Sequence, residues 1–182
     1  DLGTGHLRIY ETSSRELREI TAESVRIYSC GPTVYRDAHV GNMRTFLLTD
    51  LIVRIFKLCG QEAITVQNIT DVGHMADNLN IEQGRNNQGD KVLAEAASQS
   101  LTAIEIARKY EMRFHRDLAA LNIEPANHYP RASEKMDSII AAIIRLIESG
   151  SAYIGTNGDV YFDARSCKTY GFISGNKLDE LR

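Results

Sequence analysis

The stretch SVRIYSCGPTVYRDAHVGNMRTFLLTDLIVRIFKL, residues 24–58, decides the fold. Val25 and Ile27 alternate with Arg26 and Tyr28, the period of a strand with one covered face. From Met43 to Leu58 the pattern becomes helical. Asp50, Arg54 and Lys57 fall four and three apart and form one narrow polar stripe; the apolar remainder predicts a mostly buried helix. Gly60 stands where such a helix stops. AITVQNIT, residues 63–70, then reads as a second strand. Strand, helix and strand with short connections make a βαβ unit, with parallel strands and a right-handed crossover. The segment between first strand and helix carries Cys30, Gly31-Pro32, Thr33, Tyr35 and His39, more chemistry than a turn and a cap require.

Upstream, LRIY (residues 7–10) reads as a short strand followed by the turn-prone Thr12, Ser13 and Ser14. Downstream, residues 76–90 are polar and predict a mobile loop, and helical signals return at Lys91. Thr102-x-x-Glu105 has the form of a capping box. Ile106, Tyr110, Phe114, Leu118 and Leu121 then step along one helix face. EPANHYP, residues 124–130, predicts a linker with two prolines. Ser133 is placed to cap a further helix whose stripe is Met136, Ile139, Ile140, Ile143 and Ile147, stopped by Gly150. SAYIGTNGDVYFD, residues 151–163, predicts a hairpin turning at Asn157-Gly158. The reading is an α/β domain over residues 1–124 followed by a helix and hairpin over 125–182.

The 182 residues suffice for one domain, alone or with an insertion, burying roughly 70% of the unfolded surface. A formal charge of −3 gives no global attraction to nucleic acid. The apolar runs are short and interrupted by charge, so no membrane span is expected. No leader-like segment opens the chain, which begins at Asp1. Three widely spaced cysteines do not make a secreted disulfide framework and favour a reducing, cytoplasmic setting.

Ligands of a βαβ unit bind at the carboxyl ends of its strands, where residues 28–42 lie. The start of the following helix offers unpaired N–H groups and partial positive charge, a place for phosphate. Gly41 would admit a nucleotide close to the backbone. His39 and Asn42 could donate hydrogen bonds to phosphate oxygens as charge builds in a transition state. The plainer reading is that His-x-Gly is a cap and a tight turn. Cys30 has a plain reading too, as a small buried hydrophobe.

CGPTVYRDAHVGN, residues 30–42, resembles the signature of the cysteinyl-tRNA synthetases, class I aminoacyl-tRNA synthetases. VQNITDV, FHRDLAALNI, YPRAS, NGDVYFD and YGFISG resemble further segments of that family in the expected order. The resemblance implies a Rossmann-like parallel sheet with part of a connective insertion. It implies ATP-dependent activation of L-cysteine to cysteinyl-adenylate, then transfer to tRNA(Cys), in a monomeric, cytoplasmic enzyme using ATP with Mg²⁺. HVGN, residues 39–42, corresponds to the "HIGH" nucleotide motif. His39 and Asn42 would serve catalysis, with Thr33 and Gly41 joining them around ATP. Gly31, Thr33 and Thr70 would lie near the cysteine, and Cys30 would ligate zinc. Zinc has a physical rationale, because a soft sulfur on Zn²⁺ separates cysteine from serine far better than dispersion does. Gly31-Pro32 can equally be only a turn and Thr70 only a cap.

Three features depart from the family. Asn42 stands where many members have His. TDVGHMAD replaces an acidic pair after the second strand. The remaining zinc ligands (a Cys, a His and a Glu), the lysine-rich triphosphate loop and the anticodon-binding domain are expected beyond Arg182, so this piece alone is expected neither to complete a zinc site nor to aminoacylate. Cys59 reads as packing and Cys167 as structural or exposed. His74, His115 and His128 read as surface or loop residues, and the basic residues of 108–116 and 131–145 as solvated helix faces. The competing readings are a mycothiol-pathway cysteine ligase, a non-catalytic synthetase homologue and, more remotely, a nucleotidyltransferase.

Overall fold

The computed structural model describes residues 7–72 and 101–177. Along them run β1 (Arg8–Glu11), β2 (Glu16–Glu19), β3 (Ser24–Ser29), α1 (Val40–Leu58), β4 (Glu62–Gln67), α2 (Ala103–Ala120), α3 (Met136–Glu148), β5 (Ala152–Ile154) and β6 (Val160–Phe162). Two compact units form: Ala22–Lys135, and Asp1–Thr21 with Met136–Arg182.

In the larger unit β3 pairs parallel with β4, Ser24 opposite Glu62 through Ser29 opposite Gln67. The βαβ expectation is therefore met in its strand direction. On the other side of β4, residues 128–132 run parallel to it. Gln67 N donates to His128 O, Ile69 N to Pro130 O and Ala132 N to Ile69 O. EPANHYP is thus more than a linker. Pro130 lacks an N–H but offers its carbonyl, a role proline can fill at a sheet edge. The division expected at residue 124/125 falls inside this unit, which ends at Lys135.

α1 begins three residues before Met43, and its buried face is not the expected one. Met43, Phe46, Asp50, Val53 and Phe56 are buried, whereas Leu47, Leu48, Leu51, Ile55 and Leu58 are exposed. Asp50, the first residue of the polar stripe, turns inward because a partner waits there, while Lys57 stays exposed. Asp50 Oδ1 accepts from Glu124 N at 2.9 Å and Oδ2 from Arg54 Nε at 2.7 Å. Arg54 reaches Asn122 O, and Lys57 pairs with Glu124. A buried carboxylate is tolerated when its oxygens are filled in this way. The core joins Phe46 of α1 to Ile106, Tyr110, Phe114 and Leu118 of α2, with Val34 and Ile69. Phe46 meets Phe114 edge to face at 5.2 Å. The capping box of α2 forms as expected, Thr102 accepting from Glu105 N and Glu105 accepting from Thr102 N. Leu121 departs from the expected stripe, being the half-exposed C-cap.

In the smaller unit β1 and β2 form a hairpin, Arg8 opposite Glu19. β2 was not foreseen, since ELRE lacks alternation and all four residues are exposed. Ser13 and Ser14 donate to the Glu11 carboxylate in the turn and hold its pKa down at about 2. β5 and β6 pair antiparallel around Gly158, at φ 85°. α3 forms, but none of its residues is buried. Ser133 does not cap it; Ser133–Lys135 is a 3-10 turn whose first residue bonds elsewhere. The loop over 76–90, the helical signal at Lys91 and His74 lie outside the described residues.

Candidate active site

Beyond the strand ends the β3–β4 ladder continues through loop residues. Thr70 N donates to Pro32 O at 3.0 Å and Val34 N to Thr70 O at 3.1 Å. At Gly31 the chains press together: a Cβ there would lie 1.6 Å from the Asn68 carbonyl oxygen. Only glycine fits, for reasons of space. The Asn68 side chain binds the same place. Its Oδ1 accepts from Gly31 N and from the Tyr28 hydroxyl, each at 3.0 Å, and its Nδ2 donates to Thr70 Oγ1 at 3.1 Å. Cys30 is therefore followed by a pinned backbone. Its thiol is exposed, 3.6 Å from Gly31 O. It opens on a depression whose lining includes Gly31, Thr33, Arg36 and Asn42.

The start of α1 is built locally. His39 is the N-cap, its Nδ1 accepting from Gly41 N at 3.0 Å and Asn42 N at 3.4 Å. Asn42 Oδ1 in turn accepts from His39 N at 3.2 Å. This is a capping box with unusual members. It fixes the free atoms. A neutral imidazole accepting at Nδ1 carries its proton on Nε2, and an amide accepting through Oδ1 presents Nδ2 as donor. No acidic residue lies in the first turn to oppose an anion. A Cβ on Gly41 would sit 2.9 Å from the His39 ring, so this glycine makes room for the cap.

A charged frame supports the end of β4. Buried Asp71 accepts from Ser133 N at 2.9 Å and Ser133 Oγ at 2.6 Å. Buried Glu111 binds Arg131 through Nε at 3.0 Å and Nη2 at 2.9 Å, and Arg108 at 2.7 Å. Burial pushes the Glu111 pKa up, but the two guanidiniums outweigh it and the net direction is down. Arg108 and Arg131 are thus not simply solvated; they hold α2 against residues 131–134.

Cys30, Gly31, Thr33 and Asn42 share one depression. His39 and Gly41 are exposed at the helix start, and Thr70 joins Gly31 through Asn68. Sequence reasoning missed Asn68, Tyr28 and Glu111. The one available signal was Asn-x-Thr at a strand end, which puts both side chains on one face. Cys59 is the C-cap of α1. Cys167 is half-buried, and a hydrogen bond with Thr169 holds its thiol below the usual range. His115 packs edge-on against Tyr129, and His128 extends the sheet through its backbone. An exposed sulfur on a pinned backbone suits one zinc bond, but among the described residues no three His, Cys, Asp or Glu gather to complete a site. Among them no helix is long and apolar enough to cross a membrane.

Residues 16–182 match the family described as tRNA synthetases class I (C) catalytic domain. The chain is 39% identical over 178 residues to a cysteine–tRNA ligase of Limosilactobacillus fermentum, covering 96% of this chain and 34% of that protein. It is 37% identical over 172 residues to the one from Halorhodospira halophila, covering 94% and 34%. With that of Salinibacter ruber the identity is 38% over 172 residues, covering 93% and 33%. The chain thus spans about a third of the length of these curated relatives.

Proposed function

Because the chain belongs to the class I (C) tRNA synthetase catalytic-domain family, we propose that it works as the N-terminal part of an enzyme that activates L-cysteine with ATP and transfers it to tRNA(Cys). A cysteine carboxylate oxygen attacks the α-phosphorus of ATP, brought with Mg²⁺, and pyrophosphate leaves. A terminal ribose hydroxyl of the tRNA then attacks the acyl carbon of cysteinyl-adenylate, and AMP leaves. Neither step asks for a covalent protein intermediate; positioning and charge stabilisation suffice. The Nε2–H of His39 and Nδ2–H of Asn42 donate to phosphate oxygens, while Gly41 keeps the imidazole in place. Thr33 stands between the nucleotide and cysteine ends, with Gly31 and Thr70 at the cysteine end. The unit Ala22–Lys135 is read as belonging to the first half of the Rossmann-like domain, and the chain after Lys135 as the start of the connective insertion. The enzyme is read as a monomer of the cytoplasm.

Cys30 would hold zinc together with ligands from the rest of the protein. Once bound, the metal supplies a soft Lewis acid that prefers a substrate sulfur to a serine hydroxyl. The observation that supports the reading most is the exposure of Cys30 on the depression that Asn42 also lines. In the full-length protein, cysteine-dependent ATP–pyrophosphate exchange is expected. Cys30→Ser should release zinc, measured by metal analysis, and abolish exchange. Full zinc content with undiminished exchange in that variant would overturn the assignment.

A further inference from the structure

Asn68 belongs to none of the roles assigned above, yet it touches three of the surrounding groups. Its orientation is fixed by chemistry. The Gly31 N–H can only donate, so the atom facing it at 3.0 Å must be the amide oxygen. The same oxygen takes the Tyr28 hydroxyl at 3.0 Å. The amide nitrogen is then turned, without alternative, to Thr70 Oγ1 at 3.1 Å. A hydroxyl that accepts from an N–H directs its own proton elsewhere. The Asn68 backbone does the complementary work, because its carbonyl fills the space a side chain at position 31 would need.

We propose that Asn68 is a positioning residue for the amino-acid end of the site. It locks the Gly31 backbone next to Cys30, and it fixes the Thr70 hydroxyl as a hydrogen-bond donor toward an acceptor on the substrate, such as a carboxylate oxygen. This inference rests on the reading of Thr70 as a cysteine-binding residue. Asn68 itself does not touch the substrate. Its effect travels through one backbone N–H and one hydroxyl.

Asn68→Asp separates the two functions. The carboxylate is isosteric and still accepts from Gly31 and Tyr28. Toward Thr70 it reverses polarity, capturing the hydroxyl proton that the amide leaves free. In the full-length protein, ATP–pyrophosphate exchange is measured for wild type, Asn68→Asp, Thr70→Val, Thr70→Ser and the double variant Asn68→Asp/Thr70→Val. The cysteine KM is expected to rise about tenfold in Asn68→Asp and in Thr70→Val, with the ATP KM within about twofold of wild type. Thr70→Ser, which keeps the hydroxyl, should recover most of the cysteine KM lost in Thr70→Val. The double variant should be no worse than either single one, since both remove the same bond. An unaltered cysteine KM in Asn68→Asp or Thr70→Val, equal rises in both KM values, or additive losses in the double variant would each overturn the proposal. Should Asn68→Asp fail to fold, an unaltered cysteine KM in Thr70→Val, or one in Thr70→Ser as high as in Thr70→Val, still overturns the proposal. If the wild-type protein shows no cysteine-dependent exchange, the functional reading fails first and takes this inference with it; failure confined to the variants leaves that reading standing.

Discussion

The two sides of the depression are secured by different means. Residues 30–34 are fastened to residues 67–70, partners separated by 37 positions in the Gly31–Asn68 bond. His39–Asn42 is fastened by bonds spanning two or three residues. The sulfur side therefore exists only once β3 and β4 have found their register. The helix side needs only the first turn of α1. Damage to the sheet should reach the first and spare the second.

The sharpest way to break this contrast is Gly31→Ala. A methyl group facing the Asn68 carbonyl forces the two chains apart, and a loss of about 3 kcal/mol is expected in urea unfolding, as for severe overpacking. Amide shifts should spread through residues 66–70 in NMR. A stability within about 0.5 kcal/mol of wild type, with shifts confined to residues 30–32, would show that the loop is held locally after all.

Glu111→Gln tests how far the tertiary frame extends. It should cost about 2 kcal/mol, less than a fully buried pair because both arginines are partly exposed. The Glu111 pKa is lowered in the fold, so its ionised form contributes fully above the unfolded carboxylate's value of about 4.3 and fades as pH falls below it. The gap between wild type and Glu111→Gln, followed by urea midpoints, should hold from pH 7 down to about 4.3 and narrow below it. A gap constant with pH would assign the loss to packing rather than charge.

His39→Ala probes the local side. Losing the cap should cost about 1 kcal/mol, with amide changes limited to the start of α1. Changes reaching β4 would erase the distinction between the two sides. The smallest effect is expected from Leu48→Gln on the exposed face of α1, within about 0.5 kcal/mol in this chain. A larger loss would mean that this face is covered.

Legibility followed the same line. The capping box at Thr102 and the hairpin at Gly158 rest on short-range patterns, the parallel β3–β4 pair on the order strand, helix, strand, and all could be read from the chain, although α1 starts at Val40 and not at Met43. The inward turn of Asp50 could not, because its stabilising partner, the Glu124 amide, lies 74 residues away. β2 was invisible because an exposed four-residue strand carries no hydrophobic period. At the site, Cys30, Gly31 and His39 stood out through residue type and a known resemblance. Asn68 did not, since its meaning depends on which strand lies opposite. The arginines read as solvated became frame members once Asp71 and Glu111 were seen to be buried beside them.

The outward leucines of α1 also bear on handling. Among the described residues β3 pairs only with β4, so one row of its backbone groups has no strand beside it. A sticky helix face together with an open sheet edge is the composition of a particle that clusters as it is concentrated. Light scattering across a dilution series of the isolated 182-residue chain should register this as a rising apparent mass.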